Sequence, residues 1–142
     1  MEITARDLRI GNYVNYRIQD DLDERKDWLE CSVIDANDLV ILESGIDCDY
    51  QPIPLTEEWL LSFGFEKYDF MNGFFVKLKD RHLMVQFYKS EIHIFFTKVS
   101  KDSQGHWMKG RDYFIDKNSI LYLHTFQNLI FALTQTELTI SK

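Results

Sequence analysis

Three short runs of alternating residues sit close together in the middle of the chain: Phe74 to Lys79, Leu83 to Tyr88 and Ile92 to Lys98. The connectors Asp80-Arg81-His82 and Lys89-Ser90-Glu91 are short enough to be hairpin turns. Alternation with period two puts successive side chains on opposite faces of a sheet. The runs therefore predict an antiparallel meander, and Lys109 to Ile115, beyond a loop at Ser103-Gln104-Gly105, is a candidate fourth strand.

The same alternation sorts the side chains. One face carries Val76, Leu78, Leu83, Val85, Phe87, Ile92, Ile94 and Phe96, almost purely apolar, and is expected to pack under helices. The other carries Phe75, Lys77, Lys79, Met84, Gln86, Tyr88, His93, Phe95 and Thr97, mixing rings with bases. Between residues 73 and 111 there are 8 bases and 3 acids, a local net charge of +5. Rings that stack on bases and lysines that meet phosphate are how single-stranded nucleic acid and nucleotides are often held. Phe75, Lys77, Lys79, Tyr88, His93 and Phe95 are accordingly the candidate ligand-binding residues. The alternative is that this face is half-solvated, or covered by the N-terminal part or a second subunit.

Two helices frame the meander. In Leu55 to Phe65, Thr56 is a natural N-cap and Glu57 and Glu58 fall in the first turn, where the helix dipole favours acids. Trp59, Leu60 and Phe63 share a face, and Gly64 stands where a left-handed cap is expected. Towards the C-terminus, Leu123, Phe126, Leu129, Ile130 and Leu133 recur at helical spacing, with His124, Gln127 and Asn128 on the other side.

The only prolines, Pro52 and Pro54, divide the chain. Before them, Thr4 to Leu8 reads as a helical turn and Ile10 to Tyr16 as a turn into a strand. Asp20 to Asp27 reads as a charged loop. Trp28 to Asp35 and Asp38 to Glu43 read as two more strands joined by a tight turn at Ala36-Asn37-Asp38. The predicted fold class is α+β. A small acidic antiparallel β unit, residues 1–54, forms a partial barrel, followed by a helix–β-meander–helix unit, residues 55–142. The two together could make one compact domain.

Of the 142 residues, 45% are apolar and 27% charged, which excludes global disorder. The net charge of −7 is uneven: residues 1–54 hold 13 acids and 5 bases, residues 55–142 hold 10 and 11. The chain lacks the overall basic footprint of a duplex DNA binder. No apolar run spans a membrane. The first residues lack the layout of a secretory signal, so a cytoplasmic location with Cys31 and Cys48 as free thiols is expected.

Chemistry-bearing motifs are few. The six glycines are scattered as turn punctuation, and His82, His93, His106 and His124 form no zinc-hydrolase pair. No Gly-x-Ser-x-Gly elbow occurs. Asp20, Asp21, Asp23 and Glu24 lack the Gly and closing Glu of a calcium loop. No catalytic residue, metal site or cofactor is expected. The 11 Phe, 7 Tyr and 3 Trp are a compositional excess that favours a protein partner or self-association.

Three stretches form a set: Leu8-Arg9-Ile10-Gly11-Asn12-Tyr13-Val14, Ile53 to Phe65, and Tyr122 to Thr134. Together they resemble a family of small uncharacterised proteins from Bacteroidetes genomes and their phages or mobile elements. The family pattern has a Gly soon after the final Ala-Leu-Thr, where Gln135-Thr136 stands here, so the last turn is expected to differ. The resemblance implies an intracellular accessory protein, and with no activity assigned to the family it carries over no catalytic residue. The expected function is a binding or adaptor protein acting through protein contact. The alternative is a nucleotide or single-stranded nucleic-acid binder using the mixed sheet face.

Overall fold

The computed structural model describes residues 3–19, 27–44, 50–68, 72–78, 81–118 and 121–140. Residues 20–26 of the predicted loop Asp20–Asp27 lie outside them, as do Lys79 and Cys48, while Asp27 opens a strand. The chain divides into two units, Met1–Pro54 with Tyr122–Leu138, and Leu55–Leu121 with Thr139–Lys142. The fold is α+β. No helix among the described residues is long and apolar enough to cross a membrane.

The first unit begins with a closed turn. Thr4 donates to Asp7 Oδ2 from both its backbone N–H and its hydroxyl, each at 2.8 Å. Gly11, at φ +96°, then turns the chain into β1 (Tyr13–Gln19). β1 pairs antiparallel with β2 (Asp27–Val33) on one side and β3 (Tyr50–Gln51) on the other. The sheet is open, and no closed barrel forms among the described residues.

Residues 38–43, which read as a strand, belong instead to helix α1 (Ala36–Glu43). The reason is local. The Asp35 carboxylate accepts from Asp38 N–H at 3.0 Å, and the Asp38 carboxylate accepts from Asp35 N–H at 2.9 Å. This reciprocal capping box satisfies two orphan donors and starts a helix where a tight turn was expected. Helical spacing then turns Leu39 and Leu42 onto the cluster of Ile3, Leu8, Val14 and Ile34, and turns Val40 outward. Asp35→Ala is expected to cost about 1 kcal/mol of stability. A urea midpoint unchanged from wild type would show that the box does not hold α1.

Helix α3 (Leu123–Thr134) is placed in this first unit, whereas the division read from the sequence puts it with the meander. Its apolar stripe of Leu123, Phe126 and Ile130 is buried. The other side of the helix is also turned in: His124 and Gln127 are buried, and Asn128 is half-buried. The Asn128 Oδ1 accepts from Arg9 Nε at 2.9 Å and Asn12 Nδ2 at 3.0 Å, and its Nδ2 donates to the Asp7 carbonyl at 3.0 Å. Arg9 also pairs with Glu137 at 3.0 Å and lies 4.1 Å from the Phe131 ring centroid. Polar bonds to chain more than a hundred residues away thus fix α3, and no helical period can display them. At its end, Gln135 takes φ +58°, the left-handed conformation that a Gly adopts at least cost.

The second unit opens with α2 (Glu57–Ser62), which ends as its sequence predicts. Gly64 has φ +90°. Phe65 N–H donates to the Leu60 carbonyl and Gly64 N–H to the Leu61 carbonyl, each at 3.0 Å. With Leu60 and Phe65 both buried, this is the left-handed cap with its hydrophobic contact pair. Then follow β4 (Glu66–Tyr68), β5 (Gly73–Leu78), β6 (Arg81–Tyr88) and β7 (Glu91–Thr97). A separate hairpin of β8 (Val99–Lys101) and β9 (Trp107–Lys109) precedes β10 (Tyr113–Asn118). The large sheet is antiparallel throughout, in the order β10-β7-β6-β5-β4.

The predicted strand over 109–115 divides in two. Lys109 closes β9 and Tyr113 opens β10, because Gly110 N–H donates to the Lys98 carbonyl at 2.8 Å and bends the chain between them. The short strands β4, β8 and β9 carry too few residues to show a period in the sequence.

Candidate functional site

Strand register divides the large sheet into the two predicted faces. Phe74, Val85 and Ile94 stand in one row, and Phe75, Met84 and Phe95 in the next row on the opposite face. All six are buried. The middle of the mixed face is therefore closed. Phe75, Met84 and Phe95 form a second core with Tyr68 and Val99, and Trp107 packs against it. The Trp107 ring is 5.0 Å from Phe75, edge to face. Two bonds hold the hairpin down. Val99 N–H donates to His82 Nδ1 at 3.1 Å, and the Tyr68 hydroxyl donates to the Trp107 carbonyl at 3.4 Å.

The five described candidate residues, all but Lys79, are thereby separated. Phe75 and Phe95 lie beneath the hairpin, out of reach of a ligand while it stays in place. Lys77 is exposed near the His82 end of the sheet. Tyr88 and His93 meet at the opposite end, with ring centroids 6.1 Å apart. Of the set, the structure brings Phe75 and Phe95 into one core and Tyr88 and His93 into one surface cluster.

The cations converge elsewhere. A cleft of about 340 Å³ opens among Arg81, Thr97, Lys98, Gly110, Arg111 and Tyr113. Arg81 starts β6, Thr97 ends β7, and the other two cations flank the bend into β10. The Thr97 hydroxyl donates to the Gly110 carbonyl at 3.3 Å, which ties this bend to the end of β7. Tyr113 is 53% exposed, with the Arg81 guanidinium carbon 5.4 Å and that of Arg111 5.8 Å from its ring centroid. Contact with one ring restrains both long side chains and holds their charges on the cleft.

No carboxylate among the described residues lines this cleft. Among the described residues, none of Arg81, Lys98 and Arg111 takes part in an ion pair. Asp112, next to Arg111, pairs with Lys109 at 2.7 Å; Asp80, next to Arg81, lies outside the described residues. A concave surface of one sign concentrates field and attracts counter-charge. Guanidinium groups offer paired N–H donors that fit phosphate or carboxylate oxygens.

Three of the eight bases over 73–111 gather at this cleft rather than on the face of Lys77. The +5 balance over 73–111 was assigned to the face of Lys77 and Lys79. Register puts Arg81 opposite Leu78 and Tyr113 opposite Phe96, at the rim of the apolar face. Arg81, Lys98 and Arg111 are far apart in sequence, and only strand pairing brings them together.

The histidines serve other ends. His93 is bonded to Glu91 at 2.9 Å, and His106 lies 3.4 Å from Asp102. Burial lowers the pKa of both His82 and His124. At His82 the Lys77 charge adds to the effect and Glu66 opposes it, and at His124 Asp7 opposes it. Among the described residues no group of His, Cys, Asp and Glu could hold a metal ion. Cys31 is a free, exposed thiol whose pKa burial raises.

Comparison with protein-family models, with curated proteins and with solved structures found no match.

Proposed function

We propose that this chain is a binding protein whose second unit takes a phosphate-bearing ligand, a nucleotide or single-stranded nucleic acid, at the Arg81–Lys98–Arg111 cleft. One observation carries the reading: Arg81 and Arg111 lie against an exposed tyrosine ring, Lys98 lines the same cleft, and no carboxylate among the described residues lines it. Such a set is self-repelling until an anion enters. The acidity of the whole chain does not oppose it, because the excess of acid lies within residues 1–54.

Fluorescence anisotropy with a labelled oligothymidylate tests the reading. Three phosphate contacts on a single strand give a slope of about −2 in log affinity against log salt. Affinity is then expected to fall roughly 20-fold between 50 and 200 mM salt. The double substitution Arg81→Glu and Arg111→Glu should abolish measurable binding at either salt concentration. Wild-type affinity in that variant would reject the cleft as the site.

Contact with a protein partner, or between copies of the chain, is the second reading. Its support is Val40, 67% exposed on α1. Singly exposed apolar residues are ordinary on protein surfaces, so this support is the weaker. Light scattering that returns only the monomer mass at high protein concentration would count against self-association. A reducing cytoplasm suits the exposed thiol of Cys31.

A further inference from the structure

We infer that the ligand is a single strand of several nucleotides, running from the cleft across the outer strand β10 onto a row of rings on the opposite face. This rests on the cleft reading above and specifies its ligand. β10 is the outermost strand of the large sheet on that side. Its first two residues are both aromatic and both more than half exposed, Tyr113 at 53% and Phe114 at 61%. Successive strand residues face opposite ways. The register agrees, with Tyr113 opposite Phe96 and Phe114 opposite Phe95. Tyr113 therefore belongs to the cleft, and Phe114 stands on the far side of the same edge.

From Phe114 the rings continue. His93 lies 5.9 Å from Phe114, and Tyr88, 49% exposed, lies 6.1 Å from His93. Lys89 Nζ sits 5.3 Å from the Tyr88 centroid, placing a cation at the end of the row. Glu91 is the carboxylate beside these rings. It is bonded to His93 at 2.9 Å and lies 3.8 Å from Lys117, so its charge is met within the protein. Phe114 and Tyr88 are exposed and His93 between them is half-buried, with interplanar angles of 75° from Phe114 to His93 and 52° from His93 to Tyr88. Such rings in a row, with cations at both ends, offer successive faces on which unpaired bases stack.

The alternatives fit less well. A mononucleotide filling the cleft and stacking on Tyr113 leaves Phe114, His93 and Tyr88 uncovered. A duplex keeps its bases paired and cannot offer their faces to the row. An acidic peptide could meet the cations but brings no π-faces. Addition of a peptide strand to the β10 edge is hindered by the irregularity between Phe114 and Asp116, since bulges interrupt the ladder a new strand would need.

Anisotropy with labelled oligothymidylates of increasing length separates the possibilities. For the wild-type protein, affinity is expected to rise from the dinucleotide to about eight nucleotides and then level off. Replacing both Phe114 and Tyr88 by Ala should weaken the longer oligonucleotide by roughly 30-fold or more. Binding of the dinucleotide should remain near wild type. Both side chains are exposed, so the variant's circular dichroism and melting temperature should match wild type. If this variant binds the longer oligonucleotide as wild type does while Arg81→Glu with Arg111→Glu abolishes binding, the platform is rejected and the cleft stands. If the Arg81→Glu, Arg111→Glu protein binds normally, the cleft is rejected and the platform with it.

Discussion

Gln127→Leu is expected to destabilise the protein by about 3 kcal/mol or more, because it strands three backbone groups at once. The Gln127 side chain is fully buried. Its Oε1 accepts from Tyr13 N–H at 2.9 Å, and its Nε2 donates to the carbonyls of Gly11 at 3.1 Å and Leu138 at 3.3 Å. One amide thus serves the start of β1, the turn before it and the chain after α3. Leucine fills a similar space but satisfies none of these groups, and each buried unmet partner costs roughly 1–3 kcal/mol. Gln127→Glu is a sharper probe. It keeps the acceptor for Tyr13 but sets a second carboxylate oxygen against two carbonyls. It too should destabilise near neutral pH, and less so once protonated. Urea denaturation measures both variants, and amide exchange at Tyr13 reports the local effect. An unchanged denaturation midpoint with Tyr13 still protected in Gln127→Leu would show that the network is dispensable.

Acid is expected to weaken the fold in two separate windows. His124 is 1% exposed, and its Nδ1 has no hydrogen-bond partner. Burial holds its pKa below 6.5, against a smaller opposing pull from Asp7. A histidine with a lowered folded-state pKa binds protons more readily when unfolded. Its contribution is therefore whole above pH 6.5 and is lost as the pH falls towards the folded-state value. His82 acts in the same window and direction, since its Nδ1 accepts from Val99 N–H and cannot do so once protonated. That change would loosen the β8–β9 hairpin over Phe75.

The carboxylates act lower. Asp7 is held below 3.8 by the Thr4 N–H and hydroxyl, and Asp102 by the His106 N–H. Their contributions persist above that value and disappear as the pH drops through the lowered ones. Urea midpoints measured between pH 8 and pH 5 should fall for wild type and fall less for His124→Phe, which keeps a ring and removes the titration. An equal fall in both proteins would exclude His124 as the source.

Much of the second unit is legible in the linear chain. Alternation over six to eight residues places β5, β6 and β7. Thr56 and Gly64 bracket α2 because capping depends on neighbours a few positions away. The misreading of 38–43 was avoidable on the same grounds. Asp35 and Asp38 form a capping box, and its spacing is present in the sequence.

The candidate site was legible only in part. The local excess of bases, the exposed ring of Tyr88 and the half-buried ring of His93 could be found by counting and alternation. That Phe75 and Phe95 are closed off could not, because Trp107 covers them from a short hairpin whose strands show no period.

The sequence by itself determined the class of fold, the antiparallel meander with its two faces, and the caps of α2. These follow from backbone geometry and hydrogen bonds spanning a few residues. Only the tertiary structure decided that α3 is held by Arg9, Asn12 and Gly11, that a hairpin seals half of the mixed face, and that Arg81, Lys98 and Arg111 share a cleft. Each depends on register and long-range hydrogen bonding between distant segments. Those are set when every buried polar group must find a partner, and no local window of sequence contains that requirement.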